Sequence, residues 1–200
     1  MPPATKRVWN EPRVNPDPEP PQPTDAALLA RARGGDDAAF HALVDRHAPG
    51  LYVAAVSLVG RAADAEDLLQ ETFTGAFRGL ARFEGRSSVK TWLTAILVRR
   101  AAMHRRRARR KDARLVHLSA AADTAAGRPP VTGTVDARLD VMDAIRSLRP
   151  EHREAIVLRE LQGLAYDEMA EALGVPRGTV ESRLFRARQA LRERLGDYLD

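Results

Sequence analysis

Residues 164–195, LAYDEMAEALGVPRGTVESRLFRARQALRERL, read as two helices joined by a tight turn. In the first, Met169, Ala170 and Leu173 recur at helical spacing, and Gly174 supplies the left-handed conformation in which a chain leaves a helix. Val175 and Pro176 form the corner. The second helix sets Val180, Leu184, Ala187 and Leu191 four, three and four residues apart, a narrow apolar seam that has to pack against something. Opposite that seam the helical period places Ser182, Phe185, Arg186 and Gln189, with Arg183 and Arg188 on the flanks. Six arginines between Arg177 and Arg194 meet only Glu181 and Glu193, a surplus of four positive charges.

A helix-turn-helix whose second helix is amphipathic, basic and tipped with small polar residues suits a DNA major groove. Arginine bridges guanine bidentately, serine bonds several base edges, and an outward Phe185 reaches a thymine methyl. An ordinary helical hairpin with a solvated basic face would share the charge but has no use for the outward phenylalanine.

Working back from this stretch, residues 136–163 read as two further helices. Val141, Ile145 and Leu148 form a stripe in the first, and Pro150 opens the second at a position proline tolerates. Val157, Leu158 and Leu161 are its expected buried face. Residues 115–135, LVHLSAAADTAAGRPPVTGTV, are rich in small residues, glycine and proline, and read as a flexible linker between two domains.

Before the linker lies a second informative helix. Ser87 or Ser88 caps a stripe of Val89, Trp92, Leu93 and Ile96, after which the helix turns basic. Residues 99–114 hold nine positive side chains against Asp112, a self-repelling surplus that fits a polyanion's phosphate backbone. Earlier still, residues 64–77, DAEDLLQETFTGAF, make an acidic island whose expected inner face is Leu69, Phe73, Ala76 and Phe77. Carboxylates in a first helical turn suit the helix dipole, which accounts for Asp64 to Asp67. The Gln70–Glu71 pair lies beyond that reach and suggests a protein-docking surface.

Residues 25–63 read as helices of an all-α domain. Asp25 caps the first, Asp36 or Asp37 the next, and a break at Pro49 and Gly50 precedes a third that runs from Leu51 to Val59. Residues 1–24 hold eight of the thirteen prolines and few apolar side chains, so a disordered tail is expected, with Trp9 unexplained. The whole is all-α: a domain over 25–114, a linker over 115–135 and a second domain over 136–200.

Composition narrows the function further. The absence of cysteine removes disulfides and thiolate metal sites, and no apolar run is long enough to span a membrane. With no signal-peptide hydrophobic region either, a cytoplasmic location without membrane insertion is expected. His41, His47, His104, His117 and His152 form no recognisable ligand set, and no nucleophile motif or phosphate loop is visible, so neither an enzyme nor a cofactor is expected.

The order D-AED-LQETF, SSVKTWL, basic helix, variable linker and GTVESRLFRAR resembles the extracytoplasmic-function group of bacterial RNA polymerase sigma factors. Residues 25–114 resemble sigma region 2 and residues 136–195 resemble region 4. The resemblance implies partners: core RNA polymerase through its β′ clamp helices and β subunit, promoter DNA, and an anti-sigma factor. It implies core contacts at Asp64, Glu66, Asp67, Gln70 and Glu71. It places minus-ten contacts at Phe83, Lys90, Trp92, Arg99, Arg100 and Arg106, with aromatic stacking and backbone charge holding a single strand. Minus-35 contacts fall at Arg177, Thr179, Glu181, Ser182, Arg183, Phe185 and Arg186.

Three departures from the family pattern stand out. Arg99 and Met103 replace a common asparagine and aspartate, and Ala165 replaces the usual Ser or Thr cap, a loss of about 0.5–2 kcal/mol unless Asp167 or the turn compensates. Glu181 stands where basic or polar residues are common, where it either selects a cytosine amino group or weakens phosphate contact. The other reading to weigh is a dimeric helix-turn-helix repressor or activator.

Overall fold

The computed structural model describes residues 22–118 and 137–195, and every regular element among them is helical. Nearly all of the expected tail and linker lies outside the described residues. The first domain comprises α1 (Asp25–Arg33), α2 (Asp37–Val59), α3 (Ala62–Gly79), a single 3-10 turn (Leu80–Arg82) and α4 (Val89–Leu118). The second comprises α5 (Ala137–Ser147), α6 (Pro150–Ile156), a π turn (Val157–Leu161), α7 (Tyr166–Leu173) and α8 (Arg177–Leu195).

Val141, expected to share a buried stripe with Ile145 and Leu148, is 42% exposed, and four further local expectations need correction. Thr24, not Asp25, caps α1, its hydroxyl accepting from the Ala27 N–H at 3.2 Å. Asp25 sits in the first turn instead, where it binds Arg46 at 2.6 Å and His47 at 2.8 Å. Burial opposes its charge, but Arg46 and His47 outweigh that and hold its carboxyl below the usual 3.8. Second, α2 runs unbroken through Pro49. An interior proline costs about 3 kcal/mol. Here it lies on the exposed side, while Ala39 and Leu43 before it and Leu51, Ala54 and Leu58 after it share one buried seam.

Third, α3 is rotated from its expected setting. Ala65, Leu68, Thr72 and Ala76 are buried, Leu69 and Phe73 are half-buried, and Phe77 is 53% exposed with its ring edge-on to Phe40. The helices approach closely here, which favours alanine on the inner side. Thr72 satisfies its hydroxyl by donating to the Leu68 carbonyl at 2.7 Å. Fourth, the π turn adds a residue to the path after α6, so Leu161 swings outward and Gln162 inward. The Gln162 amide finds a partner in the Gly50 carbonyl at 2.8 Å.

Other expectations match. Ser88 caps α4 by accepting from the Thr91 N–H at 3.0 Å, and Asp36 caps α2 through the Ala39 N–H at 3.1 Å. Gly174 ends α7 in the left-handed region at φ 65°, and Val180, Leu184 and Ala187 of α8 are buried as the seam requires. The basic helix continues to Leu118, past the last arginine of the charged run.

The two domains are packed together. Buried side chains from α1 to α4 and from α5 to α8 form one continuous apolar cluster, with α7 lying on α4 and the π turn on α2.

Candidate polymerase and nucleic-acid interfaces

On α3 the helical repeat brings Glu66, Asp67, Gln70 and Glu71 to an exposed outer surface, away from the Ala65–Leu68–Thr72 seam. Asp64 is half-buried and turned aside, 3.9 Å from Arg61 and 3.8 Å from His104. Glu71 lies 3.6 Å from Arg100 of α4. Glu66 and Asp67 make no ion pair among the described residues, so negative charge is offered outward at the start of the helix.

On α4, Trp92 is half-buried and stacks on Phe83 with ring centroids 4.5 Å apart. Phe83 is only 8% exposed, and the Arg33 guanidinium lies 5.9 Å from its centroid. Phe83 therefore forms the floor of this feature and Trp92 its accessible wall. Gly79 lies beside the tryptophan, where a Cβ would stand 3.6 Å from Trp92 Cζ2, an ordinary contact. Around the pair opens a cavity of about 640 Å³, edged by Arg82, Arg86, Ile96 and, from the other domain, Glu171. Lys90, Arg99 and Arg106 are exposed, whereas Arg100 is half-buried beside Glu71. Arg105 is paired with Glu154 of α6.

The α7–α8 hairpin is braced by ion pairs that the sequence pattern did not reveal. Arg177 donates to Glu181 at 3.0 Å and to both carboxylate oxygens of Asp167, at 3.0 and 3.1 Å. These bonds, Glu181 first, push its already high pKa further up. Glu181 is thereby tied to its own helix. Arg188 donates to Glu160 at 3.0 Å, joining α8 to the π turn. Ala165 offers no side-chain cap, and Glu168, not Asp167, supplies the reciprocal half of a capping box: its carboxylate accepts from the Ala165 N–H at 2.8 Å. That backbone bond, then the Thr91 hydroxyl, hold the Glu168 carboxyl below its usual range. An acidic residue three positions after the cap was the available signal.

Ser182, Phe185 and Arg186 stand together on the open side of α8, Phe185 at 69% exposure. The Ser182 hydroxyl donates back to the Thr179 carbonyl at 3.0 Å, Thr179 and Arg183 are half-buried, and Arg177 closes the N-terminal end. This is a helix with its apolar seam covered and a serine, a phenylalanine and an arginine directed outward. Such a surface can hydrogen-bond and make apolar contact with base edges.

Residues 43–111 match the family model for sigma-70 region 2, and residues 138–191 match that for sigma-70 region 4. A sigma-E factor of the extracytoplasmic-function group from Haemophilus influenzae is 34% identical over 183 residues, covering 87% of this chain and 96% of its own length. Among solved structures, CnrH in complex with the cytosolic domain of CnrY superposes with a TM-score of 0.63 at 29% identity, over 86% of this chain and 97% of that one. The sigma factor RpoE in complex with the anti-sigma factor NepR from Bartonella quintana gives a TM-score of 0.61 at 33% identity, over 78% of this chain and 96% of that one. Nothing in these matches favours a dimeric repressor. The chain belongs to the sigma-70 family of RNA polymerase sigma factors, in its extracytoplasmic-function group.

Proposed function

We propose that this sigma factor docks on core RNA polymerase through Glu66, Asp67, Gln70 and Glu71 of α3, with Asp64 at the margin. The docked chain holds the promoter's minus-ten strand against Trp92 and the α4 cations Lys90, Arg99, Arg100 and Arg106, with Phe83 supporting the tryptophan. It reads the minus-35 element with Ser182, Phe185 and Arg186, while Arg177, Thr179, Glu181 and Arg183 fix the helix in register. The observation that carries the reading is the two-sidedness of α8: Leu184 is 1% exposed and its neighbour Phe185 69%. A bulky apolar ring held outward among arginines on a braced helix has no role in the fold and an evident one at a base edge.

Sigma factors are in general not enzymes, and this one acts by binding alone, in the cytoplasm where its template lies. No helix among the described residues is long and apolar enough to cross a membrane. Two structural neighbours were solved with a protein partner, in one case a named anti-sigma factor, which supports control of this chain by such a protein.

Reconstituted transcription with core polymerase and a randomised promoter library tests the proposal. Promoter-dependent transcripts are expected, and Asp67→Lys should weaken association with core polymerase roughly ten-fold. Transcription no better than core polymerase alone would overturn it.

A further inference from the structure

A carboxylate beside DNA is repelled by the phosphates, so Glu181, the only acid between Arg177 and Arg192, needs either a neutralising partner or a purpose. The structure supplies the partner. Arg177 Nε donates to Glu181 Oε1 at 3.0 Å, and Arg177 is itself held by both carboxylate oxygens of Asp167 on α7. The Tyr166 ring flanks the same guanidinium, its centroid 5.8 Å from Arg177 Cζ. A planar guanidinium engaged by two carboxylates is fixed more closely than an ammonium on a flexible stem would be. The acid on α8 is therefore positioned by the other helix of the hairpin as well as by its own.

The second oxygen of Glu181 is left over. Oε2 makes no hydrogen bond among the described residues, and Glu181 is exposed, with Ser182 next to it and Phe185 one turn further along. At about 100° per residue these three and Gly178 share one side of the helix. A Cβ added at Gly178 would meet nothing within 4 Å, so that side is open to an incoming group. One oxygen anchored and the other offered outward make an acceptor held in a fixed place.

A carboxylate only accepts hydrogen bonds, and that makes it selective among base edges. In the major groove guanine and thymine present acceptors, which repel it. Adenine presents an amino group with the acceptor N7 beside it, whereas cytosine presents an amino group with no acceptor beside it on the same base. A residue that merely weakened phosphate contact would be served by any exposed acid and would have no use for the anchor.

We propose that Glu181, beyond its share in holding the helix in register, reads a cytosine amino group within the minus-35 element, and that Arg177, held in turn by Asp167, is its positioning residue. This rests on the assignment of α8 to the minus-35 element and names the base that one position of that element carries.

Holoenzyme reconstituted from core polymerase and the full-length chain is challenged with promoter duplexes randomised across the minus-35 element, and sequencing the bound fraction gives the base preference at each position. The parent should favour cytosine about ten-fold at one position. Glu181→Ala should flatten that position and leave the others as they were. Glu181→Gln, the same size but able to donate as well as accept, should turn it toward adenine, whose N6 and N7 suit a side-chain amide. Arg177→Lys keeps the charge and loses the fork, so it should flatten the same position, whereas a merely structural arginine would weaken binding to every promoter alike. Tighter binding of Glu181→Ala to all promoters, with the base profile unchanged, would overturn the assignment and reduce Glu181 to a charge that the phosphates repel. So would a parent with no cytosine preference at any position that the two Glu181 variants change. A parent holoenzyme that selects no promoter at all would instead bring down the functional reading, and this assignment with it.

Discussion

Helices α4 and α8 both carry arginine in excess, yet they hold it differently. On α4, Arg99, Arg106, Arg107 and Arg110 are exposed and make no ion pair among the described residues. On α8, Arg177 is clamped by Asp167 and Glu181, and Arg188 is braced on Glu160. Loose cations attract phosphate wherever it lies and carry no sequence information, whereas a braced helix presents a few side chains in a fixed register. On the proposed reading, the difference gives affinity and salt dependence to α4 and selectivity to α8.

The sharpest way to break this comparison is to cut α8 on either side. Leu184→Ala should cost about 2–5 kcal/mol of folding stability in urea denaturation, because it empties the covered seam. Phe185→Ala, one residue along, should change stability by no more than about 0.5 kcal/mol while weakening minus-35 binding. Equal stability losses would mean the two faces of α8 are misassigned.

Arg186→Ala should cost about 1–3 kcal/mol of promoter binding and relax preference at one base pair, checked by affinities across a set of single-substituted promoters. Replacing Arg99, Arg106 and Arg107 by alanine should weaken binding evenly across sequences. It should also flatten the plot of log affinity against log salt by about one unit for each phosphate that an arginine no longer neutralises. If instead the α4 triple variant altered sequence preference and Arg186→Ala altered only the salt slope, the division of labour would be reversed.

The smallest expected effect is far from DNA. Because the Asp25 carboxyl titrates below 3.8 in the folded chain, its partnership with Arg46 and His47 stabilises fully above that value and is lost as pH falls through the lower, folded value. Asp25→Asn should therefore lower thermal stability slightly at neutral pH and not at strongly acid pH, by calorimetry. An equal loss at both would remove the ion pairs as its cause.

What could be read from the sequence was whatever local period or cap chemistry dictates: the α8 seam, the Ser88 cap, the exit at Gly174. What could not be read was whatever the tertiary surroundings decide. Pro49 signals a break, but the seam on both sides of it keeps α2 whole. Apolar bulk put Phe77 inward on α3, where close helix packing chose Ala65 and Ala76. The candidate reading side chains on α8 followed from periodicity, yet the Glu181–Arg177–Asp167 clamp needs the hairpin closed before its ten-residue separation becomes a bond. The docking of one domain on the other leaves no periodic trace at all, since Thr91 and Glu168 are 77 positions apart.

The π turn at Val157–Leu161 has a further consequence. Each residue of an α-helix advances the chain by about 100° around its axis, so shortening this turn by one residue would swing everything downstream by roughly that angle. Such a deletion would keep α7 and α8 folded on each other and turn them toward a different neighbour. A change of one in the length of the polypeptide would here become a change of aim.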